Sequence, residues 1–343
     1  MSEARLSVVV VTYHDAAPLR AALPALLPQL GPDDELLIVD NASTDGTLAA
    51  ARELAPDALL FENGENLGFA AAANQGAARA SGDLLLFLNP DSVPAAGFAE
   101  AIRAPLRERR GWSAWMGLVT LDGGSTVNTS GGVVHFTGIA WAGQAGEPVE
   151  RAPREPREVA FASGACLAVP REVWRRLDGF PEHYFMYCED VDLSLRLWLA
   201  GERVGIEPTA RVDHAYEFEK GPLKWRLLER NRWATLIRTY PSQLLAVLAP
   251  ALIATELVLA VVAVAGGWGA QKARATTDVL QALPRLLAER RAVQARGTVS
   301  AREFACRLTT NLSSPYVGRL GRSRLMRVLL RAYWRAVLTL LPS

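Results

Sequence analysis

Cysteine is scarce. Cys166, Cys188 and Cys306 are the only three in 343 residues, they lie far apart, and their number is odd. That excludes a disulfide framework and a cysteine-built zinc site, and it fits a reducing, cytosolic environment. A secretory leader is not expected either, because SVVVVTY is a short apolar run followed closely by Asp15 and Pro18. Neither GxGxxG nor GxxxxGK[ST] occurs, so a Rossmann dehydrogenase and a P-loop kinase are poor fits. There is no internal repeat and no low-complexity tract. Net charge is almost absent too, with 37 Lys and Arg against 36 Asp and Glu. The balance hides an asymmetry. Met1 to Gln243 holds 23 basic and 32 acidic residues, whereas Gly266 to the end holds 14 and 3. An acidic body with a basic tail points to an anionic partner of the tail. The tail's apolar content favours a membrane surface over nucleic acid.

What is present is an alternation of buried-strand and helical patterns. Leu6 to Val11 is a β-branched run, and Glu35 to Asn41 is a second strand ending on a carboxylate. Helical patterns fill Ala16 to Leu30, interrupted by prolines, and Thr47 to Leu54. Ser43 and Asp45 stand before the latter as turn or cap residues. Leu59 to Glu62 is a short strand, NLGFAAAANQGAARA a helix, and Asp83 to Leu88 a strand running into NPDS. This order predicts an α/β fold with a mostly parallel central sheet flanked by helices. Ligands of such sheets bind outside the carboxyl ends of the strands. Thr12, Tyr13, Asp40, Asn41, Asn89 and Asp91 all fall at such ends. Gly111 to Ala160 reads as antiparallel strands and loops, with a charged, Pro-rich loop at Glu147 to Glu158. Val169 to Leu177 and Val191 to Ala200 read as helices.

Two tail features stand out. Leu244 to Ala265 is long enough to span a bilayer, but Glu256 interrupts it where a charge is expensive. A single span would also carry the basic tail to the side opposite the body, against the usual preference of basic segments for the cytoplasm. The segment is therefore expected to lie in the interface or re-enter from one side. Arg324, Arg327, Arg331 and Arg335 recur at spacings of three and four, one stripe of a basic amphipathic helix of the kind that lies on membranes; a helix packed on the body with a solvated arginine face is the competing reading. The expected organisation is a catalytic domain over 1–240 and a helical membrane-associating extension over 241–343.

The chemistry-bearing candidates are acids. Asp91, delivered by a buried strand, suits a hard divalent ion such as Mg²⁺ or Mn²⁺ bridging a diphosphate; an Asn-Pro-Asp turn is the competing reading. Asp40 is placed to accept from a nucleobase imide or a ribose hydroxyl, or to form a helix-start turn. In YFMYCEDVDLSLRLWLAG, the acids before an apolar helix suit the helix dipole, but a carboxylate at an aromatic-walled pocket edge also suits a general base. Asp192 and Arg196, four apart, suggest an intrahelical ion pair, leaving Glu189 and Asp190 for function.

Taken in order, VVVVTYHD, IVDNASTDGT, NLGFAAAANQG, LLLFLNPDS, SGACLAVPREVWRRLDGFPEHYFMYCEDVDLSLRLWLAG and the RNRW segment after His214 resemble the family 2 inverting glycosyltransferases of the GT-A fold, in the bacterial rhamnosyltransferase-like branch. The resemblance covers about residues 5 to 240. It implies that Thr12 and Tyr13 line the nucleotide site, that Asp40 recognises the base, and that Asn66, Gly68 and Asn74 lie near the nucleotide. Asn89-Pro90-Asp91 stands where the family has its DxD metal motif, leaving Asp91 as the main ligand, with His214 as a metal or diphosphate contact. Gly164 and Ala165 would shape the sugar or acceptor pocket, and Arg232 would contact the donor. Asp190, beside Glu189, matches the catalytic base. No glutamine stands three residues before Arg232, which argues for single addition over processive polymerisation.

The resemblance further implies an inverting, metal-dependent transfer from a nucleotide-diphospho-sugar, dTDP-rhamnose ahead of UDP- or GDP-sugars. The acceptor would be a lipid-linked saccharide at the cytoplasmic face of the membrane, in cell-envelope polysaccharide synthesis. A nucleotidyltransferase would need a Gly-rich, basic phosphate loop after the first strand, which TYHDAAP is not. A degenerate carbohydrate-binding scaffold has only the Asn at position 89 in its favour.

Overall fold

A computed structural model of the chain describes residues 4–214, 221–312 and 324–342. The stretch 215–220, between His214 and the RNRW segment, lies outside them. In chain order the elements are β1 (Leu6–Thr12), α1 (Ala16–Leu26), β2 (Glu35–Asp40), α2 (Thr47–Leu54), β3 (Leu59–Glu62), α3 (Gly68–Arg79), β4 (Leu84–Leu88), β5 (Ser92–Pro94), α4 (Phe98–Arg107), β6 (Ala114–Leu121), β7 (Thr126–Thr129), β8 (Gly132–Val134), β9 (Ala140–Ala142), β10 (Arg157–Glu158), β11 (Cys166–Pro170), α5 (Arg171–Arg176), α6 (Glu189–Leu199) and β12 (Val204–His214). Five further helices follow: α7 (Gly221–Thr239), α8 (Ser242–Ala265), α9 (Gly269–Ala295), α10 (Ala301–Cys306) and α11 (Arg324–Leu340).

The chain divides into two compact units. One comprises residues 1–132, 142–194 and 203–218, and the other 133–141, 195–202 and 219–343. The helical unit thus takes in α7, which the sequence places in the catalytic domain.

The first unit is built on a ten-stranded sheet in the order β10-β12-β6-β11-β4-β1-β2-β3, with β5 on β12 and β7 on β6. Every residue of β1 and β4 is buried, as continuous apolar strands require when both sheet faces are covered. β1 pairs in parallel with β2 and β4, and β2 with β3. The expected parallel half is therefore present. The other half is mixed: β11 runs antiparallel to β4 and β6, while β12 runs parallel to β6. The segment Gly111 to Ala160 is accordingly not purely antiparallel in its pairing. Val169 to Leu177 also departs from expectation. Val169 and Pro170 finish β11, whose register on β4 buries them, and only Arg171–Arg176 turns as a helix.

Register decides what meets at the sheet edge. Thr12 lies level with Asp40. β11 begins beside Leu88, so Gly164 and Ala165 enter at the carboxyl end of β4. β12 closes with His214 opposite Ser92, against the Asn89-Pro90-Asp91 turn.

In the helical unit, Leu244, Leu248, Leu252, Leu259 and Ala263 of α8 are buried at helical spacing, while Ile253, Leu257, Val258, Val261 and Val264 are exposed. Glu256 is not left unpaired along this apolar helix: it binds Arg232 of α7 and Lys272 of α9. α11 packs Trp334 face to face on Phe136, with centroids 5.0 Å apart, and its Tyr333 hydroxyl donates to the Val247 carbonyl of α8 at 3.0 Å. Arg324, Arg327, Arg331 and Arg335 are exposed, as the stripe predicts, and Leu325, Val328, Leu329 and Leu340 are exposed as well.

Candidate functional site

The strand ends bring most of the expected residues of the first unit together. The Thr12 hydroxyl donates to Asp40 Oδ1 at 2.8 Å, and the Ser43 hydroxyl and amide donate to the same carboxylate at 2.6 and 2.9 Å. Asp40 is fully buried. It therefore ties the ends of β1 and β2 to the turn before α2, the turn role that the sequence offered beside base recognition. Tyr13 is nearly half exposed, with its ring 4.2 Å from the His14 imidazole. His14 holds a left-handed backbone, φ 61°, that sequence patterning does not reveal. An exposed tyrosine ring at a strand end is suited to stacking on a base.

Asn66, Gly68 and Asn74 are engaged with protein. Asn66 Oδ1 accepts from Gly68 N at 2.9 Å. Asn74 accepts from Phe180 N and donates to Phe180 O, both at 2.9 Å, and reaches Glu182 at 3.3 Å. Gly68 has φ 82°, and a Cβ there would lie 2.5 Å from the Phe185 ring and from its carbonyl oxygen. Gly68 and Asn74 fasten α3 to the chain that leads into α6, while Asn66 closes the turn that opens α3.

At the end of β4, Asp91 Oδ1 lies 2.9 Å from His214 Nε2, and Asn89 Nδ2 lies 3.2 Å from the same nitrogen. His214 is buried and Asp91 partly exposed. A carboxylate and an imidazole converging at a strand end fit a divalent ion as a two-residue set. Among the described residues no group of three or more His, Cys, Asp or Glu gathers, so the remaining ligands would be phosphate oxygens and water, as Mg²⁺ commonly arranges.

Segment 163–165 links this corner to the acid pair. Ala165 O accepts from Asn89 N at 3.1 Å. Gly164 N donates to Asp190 Oδ2 at 2.9 Å, and Val191 N to Asp190 Oδ1 at 2.8 Å. The Gly164 backbone contact is invisible in sequence, because any residue supplies an amide. Asp190 is half-buried and Glu189 is buried. Burial raises the Asp190 pKa, against the pull of the two amides. Burial also raises that of Glu189 well above the usual range, with Asp190 beside it adding to the effect. Glu189 Oε2 has no hydrogen-bond partner among the described residues. A buried carboxyl beside a more accessible carboxylate is the arrangement in which the first stays protonated and the second works as a base. Asp192 accepts from the Tyr184 hydroxyl at 3.3 Å.

Arg232 belongs to the other unit. Its guanidinium donates to Glu229, Glu256 and the Thr137 carbonyl. Lys272 completes the group, 2.5 Å from both Glu229 and Glu256. Only 4% exposed, Arg232 spends its donors within the protein, which is the physical reason it does not stand as a donor-sugar contact.

Comparison with known proteins shows the family and the fold. Residues 7–176 match the family model described as "Glycosyl transferase family 2". The N-acetylglucosaminyl-diphospho-decaprenol L-rhamnosyltransferase of Mycobacterium tuberculosis is 32% identical over 234 residues, 61% of this chain and 75% of that protein. Among solved structures, S. aureus TarS 1-349 superposes with a TM-score of 0.51 at 14% identity, covering 97% of this chain and 92% of that one. GalNAc-T7 with UDP, GalNAc and Mn²⁺ superposes with a TM-score of 0.57 at 16% identity, covering 72% of this chain and 50% of that one.

Proposed function

The chain belongs to glycosyl transferase family 2 and has the GT-A fold, and from that premise we propose that it is an inverting sugar transferase acting on a lipid-linked acceptor. The observation that carries the reading is the junction at 163–165, which holds Asp190 by one amide and the Asn89-Pro90-Asp91 turn by one carbonyl. Base and diphosphate site are thereby set on one short segment. Tyr13 stacks on the nucleobase and Thr12 shapes the floor beneath it. Asp91 and His214 would hold Mg²⁺ or Mn²⁺, which would supply positive charge against that gathering on the leaving diphosphate. Asp190 takes the proton of the acceptor hydroxyl as that oxygen attacks the anomeric carbon from the face opposite the diphosphate. The C1–O bond to the diphosphate breaks as the new glycosidic bond forms, and the anomeric configuration inverts. Glu189, neutral beside it, adds no competing negative charge. Orientation and charge stabilisation supply most of the acceleration.

The rhamnosyltransferase named among the relatives favours dTDP-rhamnose as donor, ahead of UDP-sugars and GDP-mannose, and a polyprenyl-diphosphate saccharide as acceptor in envelope polysaccharide synthesis. Such an acceptor is confined to a membrane. The exposed apolar face of α8 and the arginine stripe of α11 suit a peripheral position on the anionic cytoplasmic leaflet. Pairing of Glu256 with Arg232 and Lys272 favours α8 lying on the protein, with one face to lipid, over a span.

The test is a thermal-shift and hydrolysis screen against dTDP-rhamnose, UDP-glucose, UDP-galactose, UDP-GlcNAc and GDP-mannose, each with and without Mn²⁺. Stabilisation by one donor that needs Mn²⁺ and disappears in Asp91→Ala supports the reading. A donor that stabilises equally without metal and in Asp91→Ala contradicts the role of Asp91.

A further inference from the structure

Glu189 and Asp190 follow a turn of unusual backbone. Phe185, Tyr187 and Cys188 all have positive φ, at 65°, 70° and 65°. Side chains with a Cβ enter this region at a steric cost, and a run of them persists only where the surroundings over-determine it. The surroundings here are α3. Ala70 N donates to Phe185 O at 3.1 Å, and Gly68 leaves room for the Phe185 ring and carbonyl. Asn74, two turns into the helix, grips the same chain five residues earlier through both polar groups of Phe180. Its amide has two N–H donors, and they are directed at Phe180 O and Glu182. Gly179 sits against Asn74 so closely that a Cβ would collide with Oδ1. Between the grip and α6 the chain carries bonds of its own. Tyr184 N donates to Pro181 O, Phe185 N to Glu182 O, and Asp192 N to Cys188 O, at 2.9, 3.0 and 2.9 Å.

We propose that Asn74 is a positioning residue for Asp190: by clamping Phe180 it fixes where the strained turn delivers the Asp190 carboxylate, and it does not contact the nucleotide. The inference rests on the reading of Asp190 as the base, and its test separates the two. Hydrogen exchange at the Gly164 and Val191 amides reports the seat of the Asp190 carboxylate without any substrate, because both donate to it. In Asn74→Ala these two amides exchange about tenfold faster, while amides of β1 and β2 are unchanged. Transfer falls on the order of 100-fold, donor affinity measured with the donor the screen identifies stays within about twofold, as expected where only uniform binding is spared, and the acid limb of the pH profile moves. Where Asn74→Ala fails to fold, Asn74→Ser keeps a small hydrogen-bonding side chain without setting a carboxylate against Phe180 O and Glu182, and is expected to show the same changes in smaller degree. Unchanged exchange at Gly164 and Val191 in a folded variant overturns the proposal, as does weakened donor binding with an unaltered turnover. Faster exchange together with full activity in Asp190→Asn leaves the positioning intact and removes the catalytic reading instead.

Discussion

Two buried glutamates, one in each unit, are driven in opposite directions. Glu189 is 6% exposed and Glu229 is 8% exposed. Burial opposes ionisation of both. At Glu189 the nearest charges are Asp190 and Asp192, so its pKa rises well above the ordinary value. At Glu229 Arg232 and Lys272 overcome the burial, and the pKa falls. The lesson is that burial of an acid does not by itself mark a working site. A buried acid with its countercharges present holds a structure together; a buried acid without them is held neutral, and the structure must have a reason to keep it.

The largest effect is expected at Glu229. Glu229→Gln strands Arg232 and Lys272 with half their partners and should cost about 3–5 kcal/mol by denaturant unfolding. Glu189→Gln should cost nothing at neutral pH. Next, Gly68→Ala forces a Cβ against Phe185 and should destabilise the protein by about 1–3 kcal/mol, with donor transfer lost alongside; retention of both would undo the account of the turn. Smaller still, Arg327→Ala and Arg331→Ala should each weaken binding to vesicles containing anionic lipid by about 1 kcal/mol in a flotation assay.

The pH dependences sharpen the contrast. The raised pKa of Glu189 means that its contribution to stability is fully present below the unfolded value of about 4.5 and is lost as pH rises through the folded value. The lowered pKa of Glu229 works the other way, present above about 4.5 and lost as pH falls through the folded value. Melting curves across pH should therefore show wild type losing ground to Glu189→Gln as pH rises, and losing its advantage over Glu229→Gln as pH falls.

The sequence makes the strand ends legible, because buried apolar runs that stop at Thr12, Asp40 and Asn89 need only local patterning. It also exposes the acid pair, since Glu189 and Asp190 open an apolar helix. It cannot show partners separated by long stretches of chain. Asn74 meets Phe180 across 106 residues and Asn89 meets His214 across 125. Arg232 reads as a donor contact until Glu256, 24 positions away, is seen to claim it. Asp40 reads either as a nucleobase acceptor or as a turn residue, and only register, which sets it level with Thr12, shows the bond between them. Glu256 reads as an unpaired charge in a possible span for the same reason.

The most direct test is Asp190→Asn, measured for folding, donor binding and sugar transfer together. The account predicts a folded protein that binds donor as the wild type does and transfers sugar on the order of 1,000-fold more slowly. Transfer near the wild-type rate in a folded, donor-binding variant would contradict it.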